Sequence, residues 1–250
     1  MAVKRSLSAA RMLLVFEQIS RLQPIGVSAL ARQLGADKSA VQRDVMTLAD
    51  AGWIRPAAGA RGMWELSLHI LALARPPHSS GNLRVRLRPI LEQVRAEIDE
   101  TVYLTVPHQN RFVVLDALES PHMLRIVPTL GMIVPVKGTA TAKAILPYLS
   151  PERQSQLLGW PPDEALRQAF AMTLEQGYAI SDGEVVPGSV SLASAIFASD
   201  GQPCGALVVT GPADRIAPAR WPEIGTRLRN AAQLASRAWP LVPIEEPELS

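Results

Sequence analysis

Four polar side chains that can contact nucleic acid recur at helical spacing within one short segment: Lys38, Ser39, Gln42 and Arg43. Arginine can bond guanine through two hydrogen bonds, glutamine can do the same to adenine, and serine and lysine can bind phosphates. Such side chains near the N-terminal end of a helix suit the major groove of DNA. The pattern therefore predicts that one helix face contacts DNA.

The residues around this segment predict a helix, a tight turn and a second helix. Val27–Leu34 places its apolar side chains on one helical stripe, and Gly35 can adopt the left-handed conformation that ends such a helix. Asp37 is predicted to cap the second helix, whose apolar residues again share one face. Both apolar faces point into one small core, so the polar face of the second helix is predicted to lie outside. Because helix pairs of this kind also occur in helical bundles, the spacing alone leaves both interpretations open.

A β-hairpin is predicted directly after the second helix. Residues 53–55 and 63–66 have the composition of short strands, and the small residues 57–62 form a flexible loop between them. Arg61 lies in this loop, where its side chain can reach a minor groove or a phosphate. A further helix is predicted over Leu7–Leu22. Residues 1–67 are therefore predicted to form a winged helix-turn-helix domain.

Charge is divided unevenly along the chain. Residues 1–75 contain ten Lys or Arg and five Asp or Glu, which gives +5, whereas residues 76–250 contain fifteen and eighteen, which gives −3. A basic first third suits a phosphate backbone, whose neutralisation releases counterions and makes binding dependent on salt.

Composition limits the class of protein. A chain of 250 residues that is 48% hydrophobic is long enough for two globular domains. Cys204 is the only cysteine, which excludes an internal disulfide and a thiolate metal cluster and favours a reducing compartment. The sequence has no signal-peptide pattern and no apolar run of membrane-spanning length. We therefore expect a cytoplasmic protein without a cofactor or metal.

The remaining chain predicts a linker, an α+β domain and a tail. Residues 68–82 are rich in Pro, Ser and Gly after a possible helical turn, residues 83–240 are the second domain, and residues 241–250 form an acidic tail. Strands are predicted at 101–106, 111–118, 123–127, 190–198 and 203–210. Helices are predicted at 83–98, broken or bent near Pro89, and at 139–149, 151–158, 163–176 and 219–238. This order predicts an antiparallel sheet flanked by helices.

The main alternative is an enzyme fused to a nucleic-acid-binding domain. Residues that could be imagined in a catalytic site are Ser191, Ser194, His69, His78, His108, His122 and Lys143. Neither a nucleophile elbow nor a glycine-rich phosphate loop occurs, and metal-ligand spacing is missing as well. A structural role is therefore expected for these residues, and core packing for Cys204. The arginines of the 83–98 helix, at 84, 86, 88 and 95, are expected to be solvated surface charges.

The order of the segments resembles the IclR family of bacterial transcription regulators over about residues 6–238. The segment DKSAVQR at 37–43 is similar to the family's lysine-serine-threonine-valine-x-arginine pattern, with Ala40 in place of the threonine. Four further motifs follow in the family's order: DETVYL at 99–104, VPVKGTATAKA at 134–144, GY at 177–178 followed by Asp182 and Glu184, and TGP at 210–212.

This resemblance implies an architecture and partners. The implied fold is an N-terminal winged helix-turn-helix followed by a GAF-like α+β effector-binding domain with an antiparallel sheet. The implied partners are operator DNA and a small carboxylic acid effector, with no membrane, and the implied assembly is a homodimer or homotetramer.

The resemblance also implies an effector pocket. When the family's pocket positions are transferred one by one to this sequence, the implied lining residues are Ala140, Thr141, Ser181, Asp182, Ser191, Val208 and Thr210. The first two lie at a predicted helix N-terminus, whose N–H groups can bind a carboxylate. Ala142 and Val208 depart from the pattern of regulators that sense very short polar acids. We therefore expect an acid with an apolar body, such as a benzoate or hydroxybenzoate.

Overall fold

The computed structural model describes residues 6–70 and 81–239. The chain divides into two compact units, Met1–Ser79 and Ser80–Ser250. Most of the predicted linker, including His78, and the predicted acidic tail lie outside the described residues.

The first unit consists of three helices and a small antiparallel sheet. In chain order its elements are α1 (Leu7–Leu22), β1 (Ile25–Gly26), α2 (Val27–Leu34), α3 (Lys38–Asp50), β2 (Ile54–Pro56) and β3 (Met63–Leu66). The strands are ordered β1-β3-β2. This is the predicted winged helix-turn-helix, with one short strand, β1, that the sequence pattern did not predict.

Local residue choices explain the helix-turn-helix. Gly35 ends α2 in the left-handed conformation, with φ 58°. Asp37 Oδ1 then accepts a hydrogen bond of 3.0 Å from the Ala40 amide, which caps α3. Val15, Leu30 and Val45 are fully buried where the three helices meet. Their burial fixes which face of α3 remains outside.

The second unit is an antiparallel sheet between two layers of helices. Its elements are α4 (Gly81–Ile98), β4 (Thr101–His108), β5 (Arg111–Leu118), β6 (Ile133–Val134), α5 (Ala140–Ile145), α6 (Pro151–Leu158), α7 (Glu164–Gln176), β7 (Ala179–Asp182), β8 (Ser189–Phe197), β9 (Pro203–Pro212) and α8 (Trp221–Ala238). Short 3-10 turns precede α6 and α8. The strands are ordered β6-β5-β4-β9-β8-β7.

Side chains alternate between the two faces of this sheet, so each face has its own core. On one face, Leu104 and Leu207 pack with residues of α4 and α8, such as Leu91 and Leu228. On the other face, Val208 and its neighbours pack against α5 and α7. The α+β fold class expected from the sequence is therefore confirmed. Within the described residues, no helix has the length and apolarity required to cross a bilayer.

The structure differs from local predictions at two places in this unit. Residues 123–127 form no strand, and Met123 is 97% exposed. The outer edge of β5 is instead paired with β6, through Phe112 with Val134 and Val113 with Ile133. Helix α4 is continuous through Pro89, so of the break or bend expected there the break does not occur. The short strand β7 also has no counterpart in the sequence prediction.

Arg84 and Arg88 are not the free surface charges that the sequence favours. Both contact Asp116 of β5, which is 1% exposed. Arg84 Nε lies 3.0 Å from Asp116 Oδ1, and Arg88 Nη1 donates to both carboxylate oxygens at 2.9 and 3.1 Å. These ion pairs attach α4 to the sheet.

Candidate nucleic-acid interface and ligand cavity

The outer face of α3 carries the side chains predicted to contact DNA. Lys38, Ser39, Gln42 and Arg43 are all exposed. Met46, one turn further along, is 43% exposed. The opposite face is buried through Val41, Val45 and Leu48. Helix α3 therefore presents one polar, basic face.

A partly buried ion pair fixes α3 against α1. Asp44 is 6% exposed, and Arg11 donates to its carboxylate from Nε at 2.7 Å and from Nη2 at 3.2 Å. The Asp44 carboxylate raises the pKa of Arg11. Sequence reasoning did not identify this pair, although Asp44 falls on the apolar stripe of α3, where an unpaired carboxylate would be costly.

Hydrogen bonds distinguish Ser39 from its neighbours. The Ser39 hydroxyl donates to Asp37 Oδ1 at 2.5 Å, and this bond, followed by that from the Ala40 amide, lowers the pKa of Asp37. Within residues 6–70 and 81–239, the side chains of Gln42 and Arg43 make no hydrogen bond or ion pair. They are therefore available to a partner, whereas Ser39 already helps to cap the helix.

The wing is a short hairpin with an exposed basic tip. Arg55 and Glu65 are register partners on β2 and β3, and their side chains form an ion pair of 2.8 Å. The Ala57 amide donates to the Met63 carbonyl at 2.9 Å, which closes the loop. Arg61 is exposed within this loop.

A cavity of about 240 Å³ lies on the α5 side of the second sheet. Four residues predicted for the effector pocket line it: Ala140, Ser181, Ser191 and Thr210. Its other lining residues are Tyr103, Ile126, Val127, Pro128, Met132, Val134, Pro135, Thr139, Val185, Val186 and Ser189. None of these residues carries a formal charge, so the described lining is apolar with a few hydroxyl groups.

The hydroxyl groups are already positioned by the fold. Ser191 and Thr210 are register partners on β8 and β9, and their side-chain oxygens are 2.8 Å apart. Ser181 Oγ donates to the Gly138 carbonyl at 2.6 Å. Thr139 Oγ1 donates to the Pro135 carbonyl at 2.9 Å and accepts from the Ala142 amide at 3.2 Å, which caps α5.

The other three predicted pocket residues do not line this cavity. Asp182 is exposed, and Val208 is fully buried in the sheet core. Thr141 is 1% exposed, and its Oγ1 is a buried polar atom without a hydrogen-bond partner among the described residues. Thr141 nevertheless lies near Tyr103 of the cavity wall. Burial raises the pKa of Tyr103 to about 12, and the Thr141 hydroxyl opposes this increase by a smaller amount.

Sequence reasoning missed the part of the wall formed by connecting segments. Residues 126–128 and 185–186 cover the cavity, but neither segment belongs to a helix or strand. Tyr103 could have been identified, because strand alternation places it on the same face as Thr101 and Thr105.

The residues considered for catalysis are dispersed or engaged elsewhere. His69, His108 and His122 are exposed, and Ser194 Oγ donates to the Gly177 carbonyl at 2.8 Å. Lys143 donates to the Ile180 carbonyl at 3.1 Å and forms an ion pair with Glu184. In the part of the chain that the structure describes, no cluster of three or more His, Cys, Asp or Glu could hold a metal ion.

Comparison with protein-family models matches residues 78–237 to the C-terminal domain of the bacterial transcriptional regulator IclR. Among curated proteins, the transcriptional repressor IclR of Escherichia coli is 28% identical over 228 residues, covering 86% of this chain and 83% of that protein. The regulator KipR of Bacillus subtilis is 25% identical over 222 residues, covering 84% of this chain and 88% of that protein.

Solved structures share the fold along nearly the whole chain. An IclR transcriptional regulator from Alicyclobacillus acidocaldarius superposes with a TM-score of 0.80 at 20% identity, covering 94% of this chain and 99% of that one. An IclR homologue from Microbacterium hydrocarbonoxydans, solved in complex with 4-hydroxybenzoate, gives a TM-score of 0.77 at 21% identity, covering 93% and 100%.

Proposed function

The chain belongs to the IclR family of bacterial transcriptional regulators, and from this premise we propose how it binds DNA and ligand. Helix α3 and the wing bind operator DNA, and the 240 Å³ cavity binds a small carboxylic acid that alters the affinity for DNA. Its relatives are named repressors, which favours a regulator over an enzyme.

The proposal that this protein binds DNA rests on the exposed face of α3. Gln42 and Arg43 make no side-chain hydrogen bond among the described residues, and both are exposed on a helix whose opposite face is buried. A helix held in this way can enter a major groove, with Gln42 and Arg43 on base edges and Lys38 and Ser39 near phosphates. Arg61 of the wing reaches an adjacent phosphate or minor groove.

The polar groups around the cavity support a carboxylate ligand. Ser191 and Thr210 share one hydrogen bond, and Thr210 Oγ1 also donates to the Val190 carbonyl at 3.4 Å, so a carboxylate would take one hydroxyl hydrogen in exchange for that long bond. Ala140 lines the cavity as the first residue of α5, and helix geometry leaves its N–H group without an acceptor inside the helix. Together these donors can bind a carboxylate without a lysine or arginine in the cavity.

The walls and the volume support an apolar body for the ligand. Met132, Val134, Val185 and Val186 all line the cavity. A volume of about 240 Å³ suits one aromatic ring better than a large substrate. The relative solved with 4-hydroxybenzoate agrees with this size class. A benzoate or hydroxybenzoate is therefore the proposed effector, with Asp182 and Val208 outside direct contact.

The assembly proposed for this regulator is a homodimer or homotetramer. Two copies of α3 could then contact successive faces of the major groove, because half-sites in a palindromic operator are spaced by about one helical turn.

A two-stage experiment tests this function. A thermal-shift screen of the purified chain against small carboxylic acids, benzoates included, identifies ligands, because ligand at about 100 Kd adds about 2.7 kcal/mol to the free energy of unfolding. Hits are then added to a fluorescence-anisotropy assay on DNA from upstream of the gene. The Arg43→Ala variant should lose about 1–3 kcal/mol of DNA-binding free energy. The exposed Arg111→Ala of the second unit is the control.

DNA binding that is equally strong in Arg43→Ala and wild type would reject the assignment of α3. Sequence-specific DNA binding without any acid that stabilises the chain would reject the ligand proposal and retain the regulator.

A further inference from the structure

A second, larger cavity lies beside α5, away from the hydroxyl pair. It is an open groove of about 720 Å³, bordered by α5, α6, α7 and the segment after β7. Its walls are mostly apolar, and the lining residues that matter most here are Leu146, Leu158, Trp160, Leu166 and Val185. Its volume lies in the usual range for small-molecule sites and is about three times that of the first cavity.

An exposed aromatic ring stands at the edge of this groove. Trp160 follows Gly159, which ends α6 with φ 85°, and it precedes two prolines that restrict the chain. Its residue surface is 45% exposed. A large apolar ring held in this way offers a stacking surface to a planar ligand.

Two of the four charged residues that line the groove form an ion pair, and the other two, Lys137 and Asp163, form none among the described residues. Glu184 is paired with Lys143, which is largely buried. Asp163 Oδ1 accepts from the Leu166 amide at 2.8 Å as the cap of α7. Lys137 Nζ lies 5.6 Å from the centre of the Trp160 ring, and within the described residues no carboxylate is in ion-pair distance of it. The four charged residues that line the groove sum to zero, but Lys137 stands outside any ion pair among the described residues, with its ammonium group over one face of the Trp160 ring.

We propose that this groove is a second ligand site, which binds a two-ring aromatic carboxylate. The anionic group of the ligand pairs with Lys137, and its rings lie against Trp160 and the apolar floor formed by Leu146, Leu158 and Leu166. This site is distinct from the single-ring acid site, and its occupancy does not depend on the function proposed above.

A thin partition separates the two sites. Val185 lines both cavities, and Gly138 lines the groove while its carbonyl accepts the hydrogen bond from Ser181 in the first cavity. A β-carbon at Gly138 would lie 3.3 Å from the Glu184 β-carbon, which shows how closely the partition is packed. Any test must therefore identify which of the two cavities a ligand occupies.

Isothermal titration of the full chain with 2-naphthoate tests the proposal. Wild type should bind one equivalent per chain in the groove. Lys137→Gln should weaken this binding about tenfold, the loss expected for a charge-assisted hydrogen bond, and Trp160→Ala should weaken it by about three- to tenfold. Trp53→Ala is the matched control, because Trp53 is a comparably exposed tryptophan in the first unit. It should bind as wild type does.

The double variant Ser191→Ala, Thr210→Val identifies the cavity. It should retain 2-naphthoate binding, because its substitutions lie in the other site. Loss of binding in this double variant, with unchanged binding in Lys137→Gln and Trp160→Ala, would overturn the proposal. So would the absence of saturable binding to wild type. Melting temperatures of the variants close to that of wild type would show that altered binding is not caused by unfolding.

Discussion

Ser191 on β8 and Thr210 on β9 are register partners whose hydroxyl oxygens lie 2.8 Å apart on the wall of the 240 Å³ cavity. Thr210 is 4% exposed and Ser191 is half-buried, so the pair is partly withdrawn from bulk water. Hydrogen bonds to a charged acceptor are stronger than neutral ones in such surroundings. The pair is therefore the central element of the proposed carboxylate site.

Removal of either hydroxyl should weaken binding of the carboxylic acid. We expect Ser191→Ala and Thr210→Val each to lower the affinity about tenfold, since a hydrogen bond to a charged group contributes about 1.5–3 kcal/mol. The double variant should lose less than the sum, because the two hydroxyls act as one unit. Isothermal titration with a benzoate measures this. Ser194→Ala is the control, since its hydroxyl lies on the same strand but bonds Gly177. Unchanged affinity in both single variants would remove the pair from the site.

Thr141 provides a test of the cost of an unpaired hydroxyl. Its Oγ1 is buried and has no hydrogen bond of good geometry among the described residues, although a weak interaction with the Tyr103 hydroxyl opposes the rise of the Tyr103 pKa. Thr141→Val replaces this hydroxyl with a methyl group of similar shape. We expect the free energy of unfolding to increase by about 1 kcal/mol. Thr173→Val is the matched control, because that buried hydroxyl donates to Ala169 at 2.8 Å and its loss should be destabilising. Urea unfolding of the ligand-free chain measures both. Equal destabilisation of the two variants would mean that the Thr141 hydroxyl makes a stabilising hydrogen bond in the native chain.

Gly225 of α8 packs directly against the ring of Tyr178, which leaves no room for a side chain at position 225. A β-carbon at Gly225 would lie 2.5 Å from the Tyr178 ring, so α8 can pack here only through glycine. Gly225→Ala should lower the free energy of unfolding by about 1–3 kcal/mol, although alanine is the better helix former. The loss should be smaller in a Tyr178→Ala background, which a double-mutant cycle measures. A higher melting temperature for Gly225→Ala alone would contradict this packing.

The sequence predicted individual helices and strands better than it predicted the side-chain contacts between them. The spacing of apolar residues determined α1, α2 and α3, since each helix needs one buried stripe. Asp44 and Arg11 are 33 positions apart, and Arg88 and Asp116 are 28 apart. No local pattern indicates which charge meets which across such distances. Their ion pairs therefore required the tertiary structure.

The candidate site was predicted to a similar extent. Ser191, Thr210 and Ala140 were proposed as pocket residues from the family resemblance, position by position, and only Ala140 had a physical reason beside it, the predicted start of a helix. The connecting segments that close the cavity have no periodicity. The apolar run 123–127 was predicted as a strand because it has strand composition, but the edge of β5 is occupied by Ile133–Val134. Composition cannot decide which of two candidate segments pairs with an edge.

Cys204 should be nearly inert to thiol reagents in the native chain. Burial raises its pKa to about 12, so at pH 8 its thiolate fraction is about 10⁻⁴, whereas an unperturbed thiol with a pKa of about 8.5 is roughly one quarter ionised. Reaction with an aromatic disulfide reagent at pH 8 should therefore be about a thousandfold slower than in denaturant. Reaction of native chain at the rate of denatured chain would contradict this burial.

The raised pKa of Cys204 also makes the free energy of unfolding depend on pH. Because the native thiol keeps its proton to higher pH than the unfolded thiol, its contribution to stability is complete below about pH 8.5 and declines as the pH rises toward 12. Comparison of wild type with Cys204→Ser between pH 8 and pH 11 checks this. The stability of wild type should decline more steeply.

The most direct measurement is the affinity for upstream DNA, by fluorescence anisotropy, with and without a saturating benzoate identified by thermal shift. Wild type should bind DNA in the absence of ligand and change its affinity at least severalfold in its presence. Arg43→Ala should weaken DNA binding under both conditions, whereas the double variant Ser191→Ala, Thr210→Val should bind DNA normally and fail to respond to ligand. A ligand response that survives in this double variant, or DNA affinity that is independent of Arg43, would contradict the assignment of the two sites.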